Sequence, residues 1–189
     1  IETANKVVVV DAQLLRKYAQ EVRGYIDRLG KPIDRVILSH PHPDHWLGLE
    51  YFQDVPIYAL PETTGEVAAT GEAFRQYKRE TLGDAIADKT VLPTHSIVEG
   101  SEQIDGLTYT YRKIVNGESG FSLLIEIPEI KTVIAQDLVY NHIYLCVGVK
   151  NQQGEFMFDG WIANLESLQG GDYELSLIHI SEPTRQAEI

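Results

Sequence analysis

Apolar residues in the first third of the chain alternate between two spacings. Residues 6–10 (KVVVV) and 34–39 (DRVILS) are short, nearly continuous apolar runs, which predict buried strands. Between them, residues 14–29 place apolar side chains at helical spacing, and Gly30 and Pro32 follow as stop signals. The pattern therefore predicts a strand, an amphipathic helix and a second strand, in that order.

The remaining chain continues this alternation and then becomes strand-rich. A short helix is expected near Trp46 and a brief strand at residues 56–60, while the polar residues 61–88 predict one or two surface helices. Three strand patterns follow at residues 107–115, 121–127 and 131–135, and helical spacing returns around Trp161. This order favours a layered α/β fold over a helix bundle or a sandwich of strands alone.

Composition limits the classes of function. The chain has 189 residues, of which 43% are hydrophobic, enough for one domain or a large part of one. Its net charge of −12 argues against nucleic-acid or anionic-membrane partners, since both require a positive patch. Because Cys146 is the single cysteine, the chain cannot form an internal disulfide. We predict that Cys146 is a small buried hydrophobic residue. A small-molecule substrate fits these limits, and they leave the oligomeric state and the cellular compartment open.

Three of the six histidines lie in one hexapeptide, HPHPDH, directly after the second predicted strand. Pro41 and Pro43 favour an extended backbone, in which side chains two residues apart share a side. His40 and His42 can therefore converge on one point, with Asp44 and His45 just beyond. Neutral imidazole and carboxylate are favoured ligands of zinc. A solvated loop or a helix cap is the structural alternative, but unliganded imidazoles would become charged together near about pH 6.

The motif also carries a resemblance to a known family. SHPHPDHWLG resembles the H-x-H-x-D-H signature of the metallo-β-lactamase superfamily, and Asp11 after KVVVV resembles that family's upstream aspartate. IEIPEIKTVIAQDL resembles its later strand pair, which ends in a metal-bridging aspartate, here Asp137. The resemblance implies a four-layer αββα sandwich, truncated at both ends in this chain. It also implies one or two metal ions at an edge of the sheets, with zinc as the first expectation.

The resemblance assigns roles to individual residues. It implies that His40 and His42 bind a first metal, that Asp44 and His45 bind a second, and that Asp137 binds or bridges the second. Asp44 is also the expected catalytic residue, accepting a hydrogen bond from the nucleophile and passing a proton to the leaving group. Asp11 is expected to orient a ligand or the loop, a role compatible with a buried, turn-forming aspartate.

Two departures from the family pattern concern the ligands. Glu118, in VNGESG, stands where the family has a third histidine, and would complete a His-His-Glu set that favours Mn²⁺ or Fe²⁺ more than histidine does. The alternative is an exposed glutamate in a hairpin turn. The family's downstream Gly-His-Gly element has no counterpart, so we expect one ligand of the second metal to be missing. His142 is expected either at the pocket mouth, contacting substrate, or on a surface loop.

The end of the chain reads differently from the rest. LSLIHISEPTRQAEI resembles translated sequencing-adapter read-through of the kind found in metagenomic sequences. We therefore expect an incomplete metallo-β-lactamase-like domain over residues 1–174 and a non-native tail over residues 175–189.

The expected function is hydrolysis of a small ester, lactone, thioester or amide, with β-lactams among the candidates. The reaction would be attack of metal-bound hydroxide on a carbonyl carbon. Two alternatives remain open: a ferrous-iron oxidoreductase similar to persulfide dioxygenases, and a metal-binding but inactive truncated member of the family.

Overall fold

The computed structural model describes residues 1–140, 147–151 and 154–179, with side chains described up to residue 174. Two β-sheets pack face to face and helices cover their outer faces, which confirms the predicted αββα architecture. His142 and Cys146 lie outside the described residues. Among the described helices, none combines the length and apolar character needed to cross a membrane.

The first sheet is parallel and comes from the first half of the chain. Its strands, in spatial order, are β1 (Val7–Val10), β2 (Ile33–Leu38), β3 (Ile57–Ala59) and β4 (His95–Ser96). Each connection between parallel neighbours must cross back over the sheet, which is why helical segments separate the strands in sequence. All four strands therefore end at the same edge.

The second sheet is an antiparallel meander with one parallel addition. It consists of β5 (Gly100–Ile104), β6 (Leu107–Val115), β7 (Phe121–Ile127), β8 (Thr132–Tyr140) and β9 (Leu175–His179). The first four strands pair antiparallel in chain order, and β9 pairs parallel with β8. The expected tail thus begins as a fifth strand in the structure, while its non-native origin stays a prediction.

Four α-helices flank the sheets. They are α1 (Arg16–Arg28), α2 (Pro43–Trp46), α3 (Pro61–Leu82) and α4 (Phe158–Leu168). The one-turn α2 continues into a 3-10 helix over Leu47–Phe52, so helical structure begins earlier than the predicted start near Trp46. Pro43 at the first helical position suits this start, because its fixed φ matches a helix and it lacks the amide hydrogen that would go unpaired there.

Three apolar clusters hold the layers together. Val36 and Leu38 of β2 point outward to the layer formed by the N-terminal helices, whereas Ile37 points inward and packs between the two sheets. A third cluster, which includes Trp161 of α4, covers the outer face of the second sheet. Trp46 and Trp161 are both buried in these clusters.

Candidate metal centre

The carboxyl edge of the parallel sheet supplies the first set of polar side chains. Asp11 directly follows β1, and His40 is the second residue after β2, so both emerge where ligands commonly bind in parallel α/β sheets. The loop after β1 bends sharply: Asp11 has φ 62° and Gln13 has φ 74°. That bend is fixed by hydrogen bonds, since Ala12 N donates to His45 O and Gly48 N donates to Gln13 O.

The second sheet brings two carboxylates to the same edge. Glu118 lies in the β6–β7 turn, which is closed by hydrogen bonds from Asn116 N to Gly120 O and from Gly117 N to Ser119 O. Asp137 follows an irregular position of β8, where Gln136 has φ 49° and the pairing register shifts. The amide of Leu123 in β7 donates to Ser39 O over 2.8 Å, so a hydrogen bond joins the two sheets beside the site.

One group of four side chains forms around His40. Its Nε2 lies 3.8 Å from Oε2 of Glu118 and 3.6 Å from Oδ2 of Asp137. Nδ1 of His42 lies 3.1 Å from the same Glu118 oxygen. Ligand atoms of the four residues, His40, His42, Glu118 and Asp137, all fall within 4.8 Å of one another.

A second group of three side chains forms around His45. Its Nε2 lies 3.5 Å from Oδ2 of Asp44 and 3.5 Å from Oδ1 of Asp137. The two oxygens of Asp137 therefore face different groups, Oδ2 towards His40 and Oδ1 towards His45. This is the geometry of a carboxylate that bridges two sites.

The spacing and the chemistry of these atoms fit divalent cations. Bonds of about 2.0–2.2 Å in a tetrahedral site separate neighbouring ligand atoms by roughly 3.3–3.6 Å, close to the observed 3.1–3.8 Å. Nε2 of His40 and Oε2 of Glu118 are buried and make no hydrogen bond within the described part of the chain. Buried polar atoms of this kind are costly unless something pairs with them. A bound cation would do so.

The pKa values of the three histidines shift in different directions. Burial lowers the pKa of His40, and the neighbouring charge of His45 lowers it further. Burial would also lower the pKa of His42 and His45, but the Glu118 carboxylate raises that of His42, and Asp11 with further carboxylates raises that of His45 well above its ordinary value. Burial would raise the pKa of Asp44, yet its interactions with His45 hold it far below the usual range. The site thus favours positive charge.

The centre is open on one side. His40, Glu118 and Asp137 are buried, whereas 26% of the His42 side chain and 39% of the Asp44 side chain are exposed. Solvent therefore reaches the centre at these two residues. On its other side, Glu118 borders a small apolar pocket lined by Val147, Val149, Met157, Phe158 and Trp161.

Comparison with known proteins agrees with this architecture. A family model for the metallo-beta-lactamase superfamily matches residues 1–142. The chain belongs to the metallo-β-lactamase superfamily. A search of curated proteins finds no match to this member of the superfamily.

Solved structures show the same fold at low sequence identity. A metallo-β-lactamase from Pontibacter korlensis is 16% identical, with a TM-score of 0.72 over 94% of this chain and 76% of that chain. FIM-1 from Pseudomonas aeruginosa, in its mono-zinc form, is 13% identical, with a TM-score of 0.64 over 93% and 72%. The stereoselective inverting sec-alkylsulfatase Pisa1 from Pseudomonas sp. is 17% identical, with a TM-score of 0.69 over 94% and 34%. At these identities the likeness shows the fold alone.

The structure brings the predicted residues together. The six expected ligands His40, His42, Asp44, His45, Glu118 and Asp137 occupy the two groups, so the reading of Glu118 as an exposed turn residue is wrong. Asp11 is near the centre through its 2.8 Å contact with His45 Nδ1. Sequence analysis gave no role to Ser39, although it directly precedes the motif; its hydroxyl lies 3.0 Å from His40 Nδ1.

Proposed function

We propose that the protein is a metal-dependent hydrolase acting on a small ester, lactone, thioester or amide, with β-lactams among the candidates. The supporting observation is the pair of ligand groups that share Asp137. Superfamily membership is consistent with this chemistry, but one fold hosts many reactions, so the proposal depends on the site.

The residues of the two groups would hold the cations, and Asp44 would have a second, catalytic task. His40, His42 and Glu118 would hold one cation, Asp44 and His45 the other, and Asp137 would contact both. Bound divalent cations supply Lewis-acid chemistry, activating water near neutral pH and polarising a carbonyl. Asp44 is the catalytic residue in this proposal: its partly exposed carboxylate would take a proton from the attacking water and pass that proton to the leaving group.

Zinc is the cation we propose first. Imidazole nitrogen and carboxylate oxygen are both good zinc ligands, and His-His-Glu sets occur at catalytic zinc sites. The FIM-1 structure of the same fold is described in a mono-zinc form. The carboxylate of Glu118 makes Mn²⁺ and Fe²⁺ the next candidates.

The proposal is tested by hydrolysis assays on a lactone, a thioester, an ester and a β-lactam. We expect turnover of at least one substrate that disappears with a chelator and returns with zinc. His40→Ala should lose metal and activity, whereas Asp44→Ala should retain part of the metal and lose turnover. Glu66→Ala, on the exposed face of α3, is the control that should leave both unchanged. Metal binding without turnover on any substrate would indicate an inactive member instead.

A second candidate is a ferrous-iron oxidoreductase similar to persulfide dioxygenases. It is favoured by one observation: His40, His42 and Glu118 form a two-histidine, one-carboxylate set, the ligand combination of many non-haem iron oxygenases. Metal analysis separates the two candidates. Iron with oxygen consumption would support the oxidoreductase, and zinc with hydrolysis under anaerobic conditions would support the hydrolase.

A further inference from the structure

Ser39 links two residues of the candidate metal centre. Its side chain is fully buried, and its hydroxyl donates to Oδ2 of Asp11 over 2.8 Å. The same oxygen lies 3.0 Å from Nδ1 of His40. Its backbone amide also donates to Oδ1 of Asp11 over 2.8 Å, which holds the serine and the aspartate in a fixed relation.

The direction of these hydrogen bonds follows from simple donor counting. A serine hydroxyl has one hydrogen to donate and two lone pairs to accept with. Because the Ser39 hydrogen points to the Asp11 carboxylate, which accepts but does not donate, the hydroxyl can only accept from His40. Nδ1 of His40 must therefore carry the ring hydrogen. Its Nε2 is then left with a lone pair, which faces Glu118 and Asp137.

We infer that Ser39 is a positioning residue that fixes the ring orientation and tautomer of His40. Asp11 orients His40 indirectly, through Ser39, and orients His45 by direct contact. Oδ2 of Asp11 lies 2.8 Å from Nδ1 of His45, so the second ring also turns its Nε2 towards the ligand groups. One carboxylate thereby orients the Nε2 atoms of two histidines towards the ligand groups. The inference rests on the proposed metal centre.

Loss of the hydroxyl has a predictable effect on His40. Without an acceptor beside Nδ1, the ring can move its hydrogen to Nε2, where it would block metal binding. Removing partners that orient ligating histidines typically costs about 10–100-fold in metal affinity. Ser39→Ala should show a loss of this size, while Ser39→Thr, which keeps a hydroxyl, should restore the affinity.

The experiment combines two measurements on the purified 189-residue protein. Imidazole ¹⁵N spectra of metal-stripped protein, with His40 signals assigned from His40→Ala, report which ring nitrogen carries hydrogen. Zinc affinity is measured by chelator competition. We expect the ring hydrogen of His40 on Nδ1 in the wild type and in Ser39→Thr, and a shift of that hydrogen towards Nε2 in Ser39→Ala. Of the two Ser39 variants, only Ser39→Ala should lose zinc affinity.

The control is Thr132→Val, which removes a buried hydroxyl bonded to Ile130 O at the far end of β8. Equal zinc affinity in Ser39→Ala and Thr132→Val would overturn the inference, as would hydrogen on Nε2 of His40 in the wild type. Equal losses in Ser39→Ala and Ser39→Thr would also overturn it, because the hydroxyl would then not be the cause. If the wild type holds no metal while Nδ1 carries hydrogen, the proposed function fails but the tautomer assignment stands.

Discussion

At the scale of single residues, protons and metal cations would compete for the same histidine nitrogens and carboxylate oxygens of the site. Asp11, Asp44, Glu118 and Asp137 place their carboxylates around three histidines, and His45 contacts three of these carboxylates. In the absence of a cation, these carboxylates stabilise the protonated form of His45, Asp11 most strongly, and thereby raise its pKa. Metal binding would replace this proton.

Metal uptake should therefore release protons. A metal-bound imidazole must be neutral. Metal binding should therefore release a proton from His45 wherever the pH lies below the raised pKa of this histidine. Metal affinity should rise with pH and level off above that pKa. Calorimetric titration with zinc in buffers of different ionisation enthalpy counts the released protons. Uptake without proton release at neutral pH would contradict this description of His45.

Glu118 gives a second prediction at this scale. Glu118→Gln keeps the shape of a buried side chain but loses the charge beside His42, so we expect weaker metal binding, by at least about tenfold. Glu66→Gln, on an exposed position of α3, is the matched control. Metal content by mass spectrometry and chelator competition provide the measurement. Unchanged affinity in Glu118→Gln would return this residue to a purely structural role in the turn.

At the scale of elements, close packing of the motif against the loop after β1 positions the ligands. A Cβ on Gly48 would lie 1.9 Å from the backbone oxygen of Ala12 and 2.7 Å from Cβ of Ala19. The end of the HPHPDHWLG segment therefore fits against the loop that carries Asp11 only because residue 48 has no side chain.

Two glycine variants test this packing. Gly48→Ala should destabilise the protein by about 1–3 kcal/mol or more, because backbone must move, and should weaken metal binding by displacing Asp11. Gly65→Ala, in α3 with open space around it, should instead stabilise by about 0.5–1 kcal/mol. Thermal and denaturant unfolding measure both. A Gly48→Ala protein as stable as the wild type would show that the contact is not tight in solution.

The accuracy of sequence-based prediction differed between elements for physical reasons. Strands β2, β6 and β7 were predicted nearly to the residue, since buried β-branched or alternating side chains mark them. Strands β4 and β5 were missed because they are short and largely exposed, so no apolar pattern distinguishes them from loops. The end of β8 was missed because Gln136 and Asp137 interrupt its apolar run.

The candidate site was predictable in two parts. HPHPDH is contiguous, and the chemistry of its side chains is visible without a fold. Glu118 and Asp137 join it only through tertiary contact, so resemblance to a family, and no local pattern, indicated them. Ser39 could not be assigned, because the use of a lone hydroxyl depends on hydrogen-bond directions that only the folded structure shows.

At the scale of the whole molecule, the site lies where two sheets from different halves of the chain meet. The parallel sheet provides the histidines and the antiparallel sheet provides Glu118 and Asp137, so metal binding would tie the layers together. Ligands that bind only the folded state stabilise it by a free energy that grows with the logarithm of their concentration over Kd, once that concentration exceeds Kd.

All six proposed ligands precede residue 138, which gives a prediction about the end of the chain. A variant that ends at Glu174 lacks β9 and should still bind metal with the stoichiometry of the full chain. Zinc should raise the melting temperature of the shortened chain, as it should raise that of the 189-residue chain. Loss of metal from the shortened chain would show that β9 is needed to hold β8 and Asp137 in place.

The most direct test of the central claim is a crystal structure of the zinc-loaded protein with anomalous diffraction recorded at the zinc edge. The proposed centre predicts two anomalous peaks, one among His40, His42, Glu118 and Asp137, and one among Asp44, His45 and Asp137. No peak at either position, with the two groups held apart by water or by other side chains, would contradict it.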